Sequence, residues 1–128
     1  MATPTFLDLA HILRLHRSLI ERYGGTDGIR DIGLLQSAVA MPRAMFGGEY
    51  LHGDLFEMAA AYAFHLVQNH PFLDGNKRTG AASAIVFLAL NDVTIDNDEQ
   101  GLIELILSVA TGESEKPEIA EFFRSRAG

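Results

Sequence analysis

His70, Asp74, Asn76, Lys77 and Arg78 fall within one short run, His70-Pro71-Phe72-Leu73-Asp74-Gly75-Asn76-Lys77-Arg78-Thr79. They bring a base, a carboxylate, a neutral donor and two cations to the start of a long apolar segment. Imidazole is the side chain whose unperturbed pKa lies nearest neutrality, so His70 suits proton abstraction. Gly75 lets the backbone turn tightly, and the N–H groups of the helical turn that follows point outward with the positive end of the helix dipole behind them. Lys77 and Arg78 add charge beside those amides, and Asn76 adds a donor or caps the helix. Asp74, one residue before the turn, is placed to hold a divalent cation against phosphate oxygens. The chemistry is that of a phosphate-handling active site. A metal-only site fits less well, since His70 and Asp74 would share a face only in a helix, and Pro71 and Gly75 keep this segment out of one.

The rest of the chain bounds what this loop can act on. A length of 128 residues suits a single domain, residues 1–128, able to bury about two thirds of its unfolded surface without a staple. The chain has no cysteine, which removes disulfides, thiolate nucleophiles and cysteine metal sites and is compatible with a reducing cytoplasm. The N-terminal run MATPTFLDLAHILRLHR lacks a basic start followed by an apolar stretch, and no segment approaches a membrane span. A cytoplasmic protein with no membrane contact is therefore expected. A formal charge of −7 argues against direct DNA binding, which requires a basic face. Only two lysines occur and one is Lys77, so the positive loop is a local exception suited to a small anionic ligand.

Helices must position the loop. Asp8 can cap a helix to about Tyr23 that Gly24 and Gly25 stop, and Asp31 opens a shorter one ending before Pro42. Asp54 and Glu57 resemble a capping box ahead of the stripe Leu55, Met58, Ala59, Tyr62, Leu66, and this third helix runs straight into His70. From Asn76 to about Asn91 a fourth helix follows; only Ser83 is polar between Ala81 and Leu90, so burial on nearly every side is expected. A fifth carries Leu102 to Val109 and closes at Gly112, and Pro117 opens a last one. The predicted class is all-α, with a small hairpin near residues 24–30. The glycine-rich piece there reads either as a plain helix connection or as a mobile flap able to pair with an extended target through its edge.

These residues resemble the Fic/Doc family, and within it the death-on-curing branch. Besides His70 to Thr79, the resemblance is carried by Arg22-Tyr23-Gly24-Gly25, by Gly28-Ile29-Arg30-Asp31 with Leu34-Leu35 and Ser37-Ala38, and by Thr111-Gly112-Glu113, covering about residues 6–126. It implies an all-α bundle of about six helices with a buried central helix and a small β-hairpin flap, and an enzyme that uses ATP and Mg2+ to modify a hydroxyl of a target protein. On matching positions His70 becomes the base, Asp74 the metal ligand, and Gly75, Asn76, Lys77 and Arg78 the phosphate cradle, with Arg78 also stabilising transferred charge. Gly25, Thr26, Asp27, Gly28, Ile29 and Arg30 become the flap that aligns the target. Phe72 reads as an aromatic anchor.

Two reactions occur in such enzymes. Those that transfer AMP resemble His-Pro-Phe-x-x-Gly-Asn-Gly-Arg-x-x-Arg, whereas here Lys77 replaces the second glycine and Ala81 the last arginine. The death-on-curing branch has the lysine and acts as a protein kinase on a translation elongation factor, so phosphoryl transfer and arrest of translation by a toxin are expected. Gly75 is a counterweight, since that branch's founding pattern has alanine there. AMP transfer and a catalytically idle scaffold are the alternatives. The family's inhibitory Ser/Thr-x-x-x-Glu-Gly/Asn signature is incomplete at Thr111–Glu115 and at Ser114–Glu118, which read as the ordinary polar start of a last helix; an antitoxin protein acting in trans is the implied partner. His11, His16, His52 and His65 read as surface or packing residues, although His16 recurs in the family's first helix.

Overall fold

The structure is a computed structural model that describes residues 3–128. Its helices are α1 (Leu9–Tyr23), α2 (Ile32–Ala40), α3 (Leu55–Asn69), α4 (Asn76–Leu90), α5 (Glu99–Ala110) and α6 (Lys116–Arg126), with a 3-10 turn at Met41–Arg43. Aspartates start four of them. The side chains of Asp8, Asp31, Asp54 and Asp98 each accept from the backbone N–H three residues on, at 2.8 to 2.9 Å. At Asp54 only this half of the expected box forms. Gly24 closes α1 with φ +85° and an N–H bonded to the Ile20 carbonyl at 2.8 Å. Gly112 follows α5 with φ +84°, and Pro117 takes the second position of α6.

The α3–α4 pair is the centre, with α1 against α4, α2 and α6 against α3, and α5 against both. Ala59, Ala60, Ala61 and Ala63 of α3 are wholly buried. Small residues let the helices approach closely: a Cβ on Gly80 would stand 3.0 Å from both the Ala63 carbonyl oxygen and a Val67 methyl. Tyr62 bridges to the N-terminal segment, its hydroxyl accepting from the Leu7 N–H at 2.8 Å and donating to the Leu7 carbonyl at 3.1 Å. Burial pushes that phenol up to about 12. Among the described residues no helix is long and apolar enough to cross a membrane.

Two expectations need correction. The central helix is not enclosed on nearly every side, because Ile85, Ala89 and Leu90 are exposed and Ala81 and Ala82 only half-buried. Apolar composition there serves a cleft wall as well as the core. The two-stranded antiparallel sheet lies not at residues 24–30 but at β1 (Met45–Phe46) and β2 (Glu49–Tyr50), in the register Met45 to Tyr50 and Phe46 to Glu49. Gly47 and Gly48, both at positive φ, make its tight turn.

Candidate active site

The loop between α3 and α4 is fixed at both ends by left-handed backbone. His70 ends α3 at φ +49°, ψ +53°, uncommon for a residue with a Cβ, and Gly75 precedes α4 at φ +80°, ψ +15°. Between them Asn76 is only 4% exposed, its amide turned back onto the loop. Its Oδ1 accepts from the Phe72 N–H at 2.9 Å and its Nδ2 donates to the Phe72 carbonyl at 3.0 Å. Those bonds orient the amide, so the remaining Nδ2 hydrogen donates to His70 Nδ1 at 3.1 Å. The neutral imidazole then carries its proton on Nε2, while the Nδ1 lone pair is covered by Asn76. Phe72 is fully buried and anchors the loop as expected.

Asp74 lies exposed at the end of the turn. Its Oδ1 accepts from the Gly75 N–H at 2.9 Å and its Oδ2 from the Thr26 N–H at 3.2 Å, which leaves lone pairs on both oxygens for a cation. No three His, Cys, Asp or Glu side chains converge among the described residues, so a cation here would take most of its ligands from phosphate and water, as magnesium does. The donor set thus fits a magnesium–phosphate group. Lys77 and Arg78 are exposed on the first turn of α4, where N–H groups have no intrahelical partner. Arg78 lies over the Tyr23 ring at 4.5 Å, a cation–π contact that aims the guanidinium.

His70, Asp74, Gly75, Asn76, Lys77 and Arg78 line one cleft of about 580 Å³. Its far wall is apolar, built from Ala81, Ala82 and Ile85 of α4 and from Leu102, Ile103 and Leu107 of α5, with Glu99 at one edge. A charged end and an apolar end in one cleft suit a nucleotide, whose phosphates and base differ in the same way.

The glycine-rich segment is stitched to the loop. Leu73 N–H donates to the Gly28 carbonyl at 3.0 Å, Ile29 bridges Phe72 in antiparallel sense, and the N–H groups of Arg30 and Asp31 share the Pro71 carbonyl at 2.7 and 3.0 Å. These amides find partners in the loop, which is why no self-paired hairpin forms. The Arg30 guanidinium donates to the carbonyls of Asn69 and His70 at 2.9 and 2.6 Å, closing the C-terminal end of α3. Gly25 (φ +115°) passes so close that a Cβ would stand 2.8 Å from Asp74 Oδ2.

Sequence reasoning missed the inward turn of Asn76, the Tyr23 platform and the α5 wall. It also assigned His16 to packing. Ile12, His16 and Ile20 recur at four-residue spacing, so a polar residue within the buried stripe was the available signal. Away from the cleft, Lys116 Nζ lies 3.3 Å from His52 Nε2 and 3.2 Å from His65 Nε2. Burial first and the ammonium second hold His65 down to about 4, and the same causes lower His52.

The Fic/DOC family model matches residues 6–88. The chain is 35% identical over 117 residues to protein kinase doc of Escherichia phage P1, covering 91% of each chain. It is 40% identical over 100 residues to toxin Doc of Mycolicibacterium smegmatis, covering 77% of each. The helical scaffold, the loop it holds and these matches together make the chain a member of the Fic/DOC family.

Proposed function

We propose that this chain is the toxin of a toxin–antitoxin pair and a protein kinase, moving the γ-phosphoryl group of ATP to a threonine or serine hydroxyl of a cytoplasmic target, a translation elongation factor. The observation that carries the reading is the convergence of His70, Asp74, Lys77 and Arg78 on one cleft at the start of α4. Relatives named as a protein kinase and as a toxin support it.

In the proposed reaction the hydroxyl oxygen forms a bond to the γ-phosphorus, the bond to the bridging oxygen breaks, ADP leaves, and the hydroxyl proton passes to His70. The contact between His70 Nδ1 and Asn76 is given up as that proton arrives. Lys77, Arg78 and the free amides of the first α4 turn hold the phosphate oxygens, supplying the charge stabilisation on which phosphoryl transfer depends. Asp74 would hold Mg2+, which neutralises phosphate oxygens when bound. The 25–30 segment, tied to the loop, would align the target chain against His70.

Lys77 and Ala81 favour phosphoryl over AMP transfer. Both line the cleft, so a lysine stands where a glycine would leave room for a diphosphate, and a methyl group stands where a second arginine would clamp it. The apolar wall, with Tyr23, Ile103 and Leu107 about half exposed, suits an antitoxin segment acting in trans, which would block the nucleotide site by covering it.

Paired labelling tests the reading. Purified protein, Mg2+ and a bacterial lysate are incubated with ATP labelled at the γ- or the α-phosphate, beside a His70→Ala control. Label from the γ-position alone, lost in the control, is expected; label from the α-position would replace the kinase by an AMP transferase.

A further inference from the structure

His16 is one of few polar side chains in the core, 2% exposed, and its surroundings are unusual for a packing residue. Its ring lies flat on Phe72, centroids 3.7 Å apart and planes 6° from parallel. Its Nε2 lies 2.8 Å from the Asp74 carbonyl oxygen. A carbonyl oxygen only accepts, so Nε2 carries the hydrogen. Nδ1 faces the exposed Asp27 carboxylate at 3.9 Å, beyond hydrogen-bond reach. A phenylalanine could keep a ring stacked on Phe72, but it has no N–H to give the Asp74 carbonyl, and no ring carbon can stand at 2.8 Å from that oxygen.

We infer that His16 is a positioning residue for the reaction proposed above, its Nε2–H holding the Asp74 peptide so that the Asp74 carboxylate faces the 25–26 segment and the cation site. The Asp74 carbonyl belongs to the peptide that leads into Gly75, the residue whose left-handed conformation starts α4. Fixing that carbonyl fixes the rotation of the peptide, and with it the Gly75 N–H that Oδ1 accepts and the reach of Oδ2 to the Thr26 N–H. His16 thus acts from beneath the loop, touching no substrate. The inference depends on the kinase reading only for its catalytic consequence.

Two substitutions separate a donor from a filler. His16→Phe keeps a flat ring on Phe72 and removes the donor, whereas His16→Gln keeps an N–H near the Nε2 position and removes the ring. Amide hydrogen exchange at Thr26 and Gly75 is measured in the unliganded protein, with Ala84 and Leu88 in α4 as controls for the fold. In His16→Phe those two amides should exchange about tenfold faster while the α4 controls hold, and in His16→Gln they should stay within about threefold of wild type. The Mg2+ concentration giving half-maximal γ-phosphate transfer should rise in the phenylalanine variant and be rescued by glutamine. The reverse order, with phenylalanine protected and glutamine not, would make His16 a packing residue and overturn the inference. Should the phenylalanine variant not fold, retained protection in His16→Gln supports the donor and lost protection overturns it. A wild-type protein that transfers no γ-phosphate defeats the kinase reading alone, since the exchange order is read without ATP.

Discussion

Asn76→Ala removes three contacts that hold the α3–α4 loop: the acceptor for the Phe72 N–H, the donor to the Phe72 carbonyl and the donor to His70 Nδ1. Phe72 is fully buried, so both of its peptide groups are left without a partner. An orphaned buried peptide group costs about 1–3 kcal/mol, and two of them, less a few tenths returned by the better helix former, give an expected loss of about 2–5 kcal/mol. For a chain of this size that lowers Tm by about 7–19 °C. Urea unfolding with an unchanged m-value and a scanning melt would both report it. Asn76→Asp keeps an acceptor for the Phe72 N–H but sets a buried carboxylate oxygen against the Phe72 carbonyl oxygen, so it should be no more stable than alanine and should lose transfer activity. A Tm for Asn76→Ala within about 2 °C of wild type would refute the claim that this amide ties the loop, since even one orphaned group costs more.

Three further outcomes follow from the same structure. His65 and His52 are held below their ordinary value by burial and by Lys116, so the folded chain binds fewer protons there than the unfolded chain; stability is full above the unfolded pKa of 6.5 and is lost as pH falls below it, for His65 down to about 4. Urea midpoints between pH 6.5 and 4.5 should therefore fall less steeply in His65→Gln than in wild type. Gly25→Ala places a methyl group 2.8 Å from Asp74 Oδ2 at a φ of +115°, and transfer should drop with a raised Mg2+ requirement, read by titrating the metal in the labelling assay. Gly80→Ala gains helix propensity of about 1 kcal/mol, yet its Cβ would press at 3.0 Å on the Ala63 carbonyl oxygen; because backbone cannot move aside as a side chain can, net destabilisation of about 1–2 kcal/mol is expected in chemical denaturation.

Much of this architecture was legible because its signals are local. An aspartate three residues ahead of the N–H it caps marks the starts of α1, α2 and α3, and Gly24 and Gly112 mark stops by conformations other residues avoid; the Asp98 cap, which starts α5 at Glu99 ahead of the Leu102 stripe, went unread. The loop was legible for the same reason, since His70, Asp74, Gly75, Lys77 and Arg78 are near neighbours in the chain. What sequence could not give is the partner of a group at long range. The glycine-rich 24–30 segment reads as a flap or a connection because its partners are remote: the Gly28 carbonyl accepts from Leu73, and the Arg30 and Asp31 N–H groups donate to Pro71, some forty residues away. Nothing local says that Asn76 faces inward while Lys77 and Arg78 face out, or that α5 lends Ile103 and Leu107 to the cleft rather than to the core.

The stitching of the 25–30 segment also bears on how the proposed target would be chosen. A free hairpin could approach an extended chain at several registers, but Arg30 is bonded to the carbonyls of Asn69 and of His70 itself, and Ile29 is paired with Phe72. The segment and His70 are thus parts of one hydrogen-bonded unit. A target strand laid along residues 27–29 would present a hydroxyl at a fixed offset from His70, and positioning of this kind is where phosphoryl transfer gains much of its rate. Arg30→Ala should accordingly release the segment without touching the phosphate cradle. Phosphorylation of the protein target should fall by far more than any slow hydrolysis of ATP by water, whereas equal loss of both would mean that Arg30 serves the loop's fold and not the alignment of the target.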